Sequence, residues 1–339
     1  MKKIILAVVL VLVAGAAFLM VQASNDDRNN SAEKPLDEVT LALDWTPNTN
    51  HTGIYVAQQK GWYAEQGIDL KLLPYSEASS DSLVLADKAD VGIGFTEGVV
   101  ADAGLGTPVV SIASIIAHNT SVIIARKDAG ITSPKDLDGK IYGGYGAPYE
   151  QPVLSQVIKN DGGKGEYKAV TTYTPVEALE AKKVDFVWVY DGWEGIQAEM
   201  AGQDLVKFDL RDYGIPDYST PNIISSPKTI EQKSDTLKRF MNATSRGYEF
   251  ARTNPDQAAQ MLIDGTDKGT FPDTDFVYKS QKYLSANYQD EGKPWGVVED
   301  SYWQDYPRFM LENKAVVDES GKPVDSLDFN ALFTNRFLQ

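Results

Sequence analysis

From residue 39 onward the chain alternates short apolar runs with amphipathic stretches, and that rhythm restricts it to sheets wrapped by helices. Val39, Leu41, Leu43 and Trp45 alternate with Thr40, Ala42 and Asp44 at the two-residue period of a strand. The strand stops at Pro47, Asn48, Thr49 and Asn50. A helix over 53–66, punctuated by Gly61 and stopped by Gly67, and a strand over 68–73 follow. The order recurs with a helix near 80–88, a strand over 91–95, a helix over 98–103 and strands over 109–116 and 121–125. A second series begins after Lys127: a helical turn over 133–137, a strand over 140–145, a helix over 150–159, strands over 168–173 and 185–190, and a helix over 193–201. Past 222–224 the pattern changes to long helices over 235–252, 255–263, 274–284 and 301–311, which return to cover the first series. Lys88-Ala89-Asp90 and Lys183-Val184-Asp185 each open an apolar strand that ends in a loop bearing Glu97 or Glu194, as two lobes built on similar βα units would.

The N-terminus has the layout of a signal peptide: Met1, Lys2, Lys3, an uncharged apolar run over 4–21, then Gln22, Ala23 and Ser24. Val21 and Ala23 occupy the small-residue positions before a cut after Ala23. A retained anchor is the alternative, because the run approaches the ~20 residues of a spanning helix. Residues 24–38 are polar and poor in aromatics and read as a disordered tether. The chain has no cysteine, which removes disulfides, thiolate metal sites, Cys nucleophiles and lipidation. Export to the periplasm or the outer face of the cytoplasmic membrane therefore rests on the signal alone. With a formal net charge of −16 and no Lys/Arg block after the N-terminus longer than a dipeptide, a phosphate backbone is repelled, so nucleic acid is not an expected partner.

Ligands of such sheets collect at the carboxyl ends of strands, and four loops there are rich in chemistry. The first, Asp44 to Gly53, sets Trp45, a carboxylate, two amides and His51 past a strand, although Pro47, Asn48, Thr49 and Asn50 read equally well as turn and cap residues. The second places Thr96 and Glu97 at a helix start, where the helix dipole favours a carboxylate with or without a ligand. The third is His118, Asn119 and Thr120. The fourth runs from Tyr145 to Glu150 behind the pair Gly143 and Gly144. Trp188, Tyr190, Asp191, Gly192, Trp193 and Glu194 then bring three aromatics and two carboxylates to one strand-to-helix turn. Aromatic faces stack on a flat ring while carboxylates accept hydrogen bonds from amino groups or a protonated ring nitrogen, so the set suits an amino-substituted heterocycle. The two histidines, His51 and His118, have no ligand spacing for a metal, and no nucleophile elbow, phosphate loop or dinucleotide fingerprint occurs, so neither metal nor cofactor is expected.

Asp44-Trp45-Thr46-Pro47-Asn48-Thr49-Asn50-His51-Thr52-Gly53, Gly61-Trp62-Tyr63-Ala64-Glu65-Gln66-Gly67, Ser133-Pro134-Lys135-Asp136-Leu137, Asp191-Gly192-Trp193-Glu194-Gly195 and the terminal 333–338 resemble the family that joins bacterial uptake proteins for thiamine-pyrimidine precursors to the eukaryotic synthases of that pyrimidine. The resemblance implies a periplasmic-binding-protein-like (type II) α/β clamshell with lobe 1 at 39–125 plus 224–339 and lobe 2 at 126–223. It implies a monomeric solute-binding protein of an ABC importer, taking a formylaminopyrimidine-type ligand, docking on a permease and catalysing nothing. Membrane contact is expected only through that permease or an uncleaved first helix. Ligand residues carried over or read from the loops are Asp44, Trp45, Glu97, Asn119, Tyr145, Trp188, Tyr190 and Glu194. The chain departs from the uptake proteins in lacking a lipidation cysteine and in carrying Thr96 where family members often have an aromatic. It departs from the synthases in lacking their cysteine cluster and the Lys and His on the segment matching Gly92 to Val100. The alternatives are a binder of riboflavin or a sulfonate, and a secreted enzyme. Asp44, Glu97, Asp191 and Glu194 would repel a sulfonate.

Overall fold

The computed structural model describes residues 35–76 and 78–338. The expected signal peptide or anchor (1–23) and most of the expected tether lie outside the described residues. Asp37 and Glu38, expected in the tether, instead open the first strand, because the Asp37 N–H donates to Gly67 O and the pairing continues along the neighbouring strand. Among the described residues no helix is long and apolar enough to cross a membrane.

Ten strands follow in order: β1 Asp37–Ala42, β2 Ile68–Leu73, β3 Val91–Gly94, β4 Val110–Ser114, β5 Ser121–Arg126, β6 Ile141–Gly144, β7 Lys168–Thr171, β8 Phe186–Tyr190, β9 Leu205–Asp209 and β10 Asn222–Ser225. They form two mixed five-stranded sheets, ordered β2-β1-β3-β10-β4 and β7-β6-β8-β5-β9. β5 falls in lobe 1 by the sequence boundaries but pairs with β8 and β9, and Asn222 and Ile223, given to lobe 2, pair with β3 and β4. The chain thus crosses between sheets over 115–120 and returns over 210–221. The helix expected over 53–66 breaks into Thr52–Gln59 and Trp62–Glu65, because Gly61 takes a left-handed φ of 72° between them. The strand β9 and the helix Pro175–Glu180 were not anticipated, since each is short and β9 carries Lys207 and Asp209.

The internal echo is a structural repeat. The helix Ser80–Leu85 ends in Asp87 with φ 55°, and the helix Pro175–Glu180 ends in Lys182 with φ 56°. After each left-handed residue the next N–H returns to the helix, Lys88 to Leu83 O at 2.8 Å and Lys183 to Ala178 O at 2.9 Å. An aspartate then ties the incoming strand to its parallel neighbour: Asp90 Oδ2 accepts the Thr40 N–H and Asp185 Oδ2 accepts the Ile141 N–H. The strands so launched, β3 and β8, occupy the central position of their sheets, each parallel to one neighbour and antiparallel to the other.

The long helix Ser234–Thr253 returns to cover the first sheet and lies against the helix Thr52–Gln59. Their contact has no room for a side chain: a Cβ on Gly247 would sit 1.9 Å from Gly53 O, and one on Gly53 would sit 2.3 Å from the Tyr248 ring. Because the obstacle at Gly247 is backbone, Gly247→Ala is expected to destabilise the protein by about 1–3 kcal/mol, as overpacking does. A thermal melt within ~1 °C of wild type would contradict this packing.

His118, in the first crossing, donates from Nδ1 to Asp217 Oδ2 at 2.6 Å in the return crossing and from Nε2 to Asp290 Oδ1 at 2.7 Å in a C-terminal loop. Carboxylates only accept, so both ring nitrogens carry protons and His118 is an imidazolium. The Tyr302 hydroxyl lies 2.9 Å from Nδ1, Arg211 sits 3.9 Å from Asp217, and Lys293 bridges Asp290 and Glu299. The bond to Asp217, then that to Asp290, raises the histidine pKa against an opposing desolvation. Its contribution is complete below the unfolded value of about 6.5 and disappears as pH rises through the higher folded value. The melting-temperature gap between wild type and His118→Gln should therefore be wider at about pH 6 than at about pH 9. A gap that stays constant across that range would show that the imidazolium plays no part.

Candidate functional site

The carboxyl ends of both central strands face one gap, which encloses a cavity of about 370 Å³. From the first sheet come Asp44 and Trp45 after β1, Tyr75 after β2, and Phe95 and Glu97 after β3. From the second come Tyr145 and Tyr149 after β6, Tyr173 after β7, and Trp188, Tyr190, Trp193 and Glu194 on or after β8. Phe95 and Tyr190 stand at equivalent places in the repeat, five residues past Asp90 and Asp185, and their rings meet across the gap at 6.2 Å and 19°. Trp188 is oriented by its indole N–H, which donates to Ser121 Oγ at 2.7 Å, and Tyr149 meets it edge-on.

The first loop is held from behind. Asn48 caps the turn Thr49–His51, and its N–H donates to His51 Nδ1 at 3.2 Å. That leaves the His51 proton on Nε2, where it is donated to Asp44 Oδ1 at 2.7 Å. The hydroxyls of Tyr248 and Tyr288 donate to Asn50 O and Thr49 O, so C-terminal segments fix the loop that carries Asp44 and Trp45. Glu150 serves its own loop: it accepts the Tyr142 hydroxyl and the N–H groups of Tyr145, Gly146 and Ala147.

Three side chains remain to give the cavity its charge. Glu97, 4% exposed at the start of the helix Thr96–Gly104, accepts the Tyr218 hydroxyl on Oε1, while Oε2 has no hydrogen-bond partner. Burial pushes its pKa up, against the Tyr218 bond. Glu194 lies in the five-residue π turn Asp191–Gly195 and accepts the Tyr190 N–H at 3.2 Å; burial, opposed by backbone hydrogen bonds, raises it to about 7. Asp44 completes the set. Behind Glu97, burial lifts Asp81 to about 7, with repulsion from Asp102 adding to it, and Asp102 to about 6; each has an oxygen without a partner. No Lys, Arg or His lines the cavity among the described residues. The chemistry on offer is stacking plus acceptance of hydrogen bonds from a donor-rich, neutral or cationic ring.

Of the eight residues proposed from sequence, the structure gathers Asp44, Trp45, Glu97, Tyr145, Trp188, Tyr190 and Glu194 around this cavity. Asn119 is buried outside its lining: Oδ1 accepts the Ser121 N–H at 2.9 Å, and the Asn119 N–H donates to Asp217. Sequence reading passed over Phe95, Tyr149, Tyr173 and Tyr75. The repeat could have supplied Phe95, which stands five residues past Asp90 as Tyr190 stands past Asp185. Tyr75 and Tyr173 had no comparable signal.

The family model described as NMT1/THI5 like matches residues 48–258, more than half of the chain, and includes five of the seven cavity residues, all but Asp44 and Trp45. The chain belongs to the NMT1/THI5-like family. It is 27% identical over 310 residues to a formylaminopyrimidine-binding protein of Halalkalibacterium halodurans, covering 88% of this chain and 93% of that one. It is 26% identical over 307 residues to a 4-amino-5-hydroxymethyl-2-methylpyrimidine phosphate synthase of Legionella pneumophila, covering 88% and 92%. Among solved structures it resembles the periplasmic sulfonate-binding protein SsuA of Methylobacillus flagellatus, with a TM-score of 0.62 at 14% identity over 90% of this chain and 93% of that one. The NMT1/THI5-like chain therefore has the periplasmic-binding-protein fold, and its relatives include both a binding protein and synthases.

Glu194 supplies a test of the acidic cavity in this NMT1/THI5-like protein. Between the unfolded carboxyl value of about 4.5 and the folded value of about 7, the folded state keeps a proton that the unfolded chain has lost, so stability falls as pH rises through that window. Glu194→Gln removes the effect. The variant should be more stable than wild type at about pH 8, by on the order of 1 kcal/mol because Glu194 is half-buried on the cavity wall and not sealed in the core, and indistinguishable near pH 4. Denaturant titrations that give the same difference at both pH values would contradict the desolvation of Glu194.

Proposed function

We propose that this chain is the extracytoplasmic solute-binding protein of an ABC importer, and that it binds a thiamine-pyrimidine precursor such as N-formyl-4-amino-5-aminomethyl-2-methylpyrimidine. The observation that carries the reading is the composition of the cavity: carboxylates from both sheets among aromatic rings, with no basic side chain in the lining. An aminopyrimidine offers two faces to stack and amino groups to donate, which is what Glu97, Glu194 and Asp44 accept. The kinship to a formylaminopyrimidine-binding protein points the same way. An anionic sulfonate would meet Asp44, Glu97 and Glu194 with no Lys, Arg or His in the lining to offset their repulsion. Riboflavin carries three fused rings and a ribityl chain; at the ~150 Å³ that an apolar cavity needs for one benzene ring, it would overfill the site.

Binding rather than turnover is supported by the segment Gly92–Val100, which holds neither Lys, His nor Cys. Each sheet with its helices acts as one lobe, joined by the crossings over 115–120 and 210–221. Ligand entering the open gap touches both lobes only when they close, so it favours the closed form. That form then docks as a monomer on the permease. The apolar run over 4–21 directs export.

Calorimetric titration with formylaminopyrimidine, hydroxymethylpyrimidine, riboflavin and taurine tests the reading. Saturable binding of an aminopyrimidine, weakened by about tenfold or more in Glu194→Ala through loss of a charge-assisted hydrogen bond, is the expected result. Binding of riboflavin or taurine alone would move the substrate. Binding of none would reopen catalysis, to be assayed directly.

A further inference from the structure

Three tyrosines at the mouth of the cavity are not used by a single buried ring. Tyr75 is 41% exposed, Tyr145 43% and Tyr173 64%, and they are three of the seven exposed large hydrophobic side chains among the described residues. All three line the same cavity. Tyr75, from the first sheet, leans on Trp45 at 4.7 Å; Tyr145 and Tyr173, from the second, face each other at 6.5 Å. Exposed aromatic faces gathered at one opening mark a surface that gains by being covered. The acidic acceptor Glu97 and the stacked pair Phe95 and Tyr190 lie deeper, so acceptors and rim rings occupy different depths of one cavity.

Volume makes the same division. An apolar cavity of ~150 Å³ accommodates one benzene ring. The cavity here, about 370 Å³, is more than twice that. One six-membered ring seated against the carboxylates leaves space of about a second ring beside the tyrosines.

We propose that the site has two aromatic subsites: an inner acidic one for an amino-bearing ring and an outer one, built from Tyr75, Tyr145 and Tyr173, for a second flat group. The ligand class this adds is an aminopyrimidine carrying a second aromatic ring. The inference rests on the aminopyrimidine reading for its inner half. Tyrosine suits the outer half because its ring face is apolar while its hydroxyl stays in water at the rim.

The test compares two uncharged probes by calorimetry on the mature protein: 4-amino-5-hydroxymethyl-2-methylpyrimidine, with one ring, and 4-amino-5-benzyl-2-methylpyrimidine, with two. Wild type should bind the two-ring compound about tenfold or more tighter, the scale of one or two aromatic contacts. In the double variant Tyr75→Ala, Tyr173→Ala the difference between the compounds should fall to about twofold, and Tyr75→Phe, Tyr173→Phe should restore it, because the ring face rather than the hydroxyl makes the contact. If the one-ring compound binds wild type and the two-ring compound binds no tighter, or if the difference survives in the alanine double variant, the outer subsite is overturned while the aminopyrimidine reading stands. If neither compound binds wild type, the aminopyrimidine reading itself has failed and the outer subsite falls with it.

Discussion

Taking a carboxyl group out of water raises the free energy of its charged form, and four carboxyls around the gap between the sheets bear that cost with no ion-pair partner among the described residues. Glu97 and Glu194 face the cavity; Asp81 and Asp102 lie behind, and burial pushes all four upward. Much of the surrounding structure serves to hold acceptors in that unfavourable place. Tyr218 donates to Glu97, the Tyr190 N–H donates to Glu194, and His51 holds Asp44. A ligand that brings donors relieves what folding leaves strained, which is how a buried acidic site favours an amino-substituted ring over an anion.

The repeat explains how acceptors come to lie on both sides of one gap. A helix, a left-handed residue, a tethering aspartate and a central strand occur once in each sheet, so the two sheets deliver an aromatic strand end and a carboxylate to the same opening. The copies differ where the ligand chemistry lies. After β3 a regular helix begins and buries Glu97, whereas after β8 the π turn Asp191–Gly195 sets Glu194 two positions further along. The crossings that join the sheets are bound to each other through His118 and Asp217 and to the C-terminal segment through Asp290, so the part of the chain on which closure would turn is itself an ionic cluster.

Much of the fold was legible in the sequence because its signals are local. The two-residue alternation of β1, the helices after residue 225 and the Lys-x-Asp openings of β3 and β8 each follow from neighbours in the chain. Elements that were missed or misplaced depend on distant partners. β9 carries charges on a half-buried edge strand and makes sense only beside β5, and β5, given to the first series from sequence, joins the second sheet through its pairing with β8. Asp37 and Glu38 look like tether until β2 is present to receive them.

Residue type and position at strand ends, together with the family resemblance, pointed to Asp44, Trp45, Glu97, Tyr145, Trp188, Tyr190 and Glu194, which the structure gathers around one cavity, and to Asn119, which it leaves outside, since strand direction is a property of the local chain. Which of the polar groups remain available was decided only by the tertiary structure. Glu150 and Asn119 resemble Glu194 and Glu97 in sequence context, yet backbone N–H groups brought in by their own loops take up the oxygens of Glu150 and engage Asn119 Oδ1. The rim of Tyr75, Tyr145 and Tyr173 likewise exists only once two sheets face each other. A hydrogen-bond acceptor is free or spent according to the conformation its own loop takes in the folded chain and, for Glu97, whose Oε1 accepts from Tyr218 while Oε2 stays unpartnered, according to a contact far along the sequence.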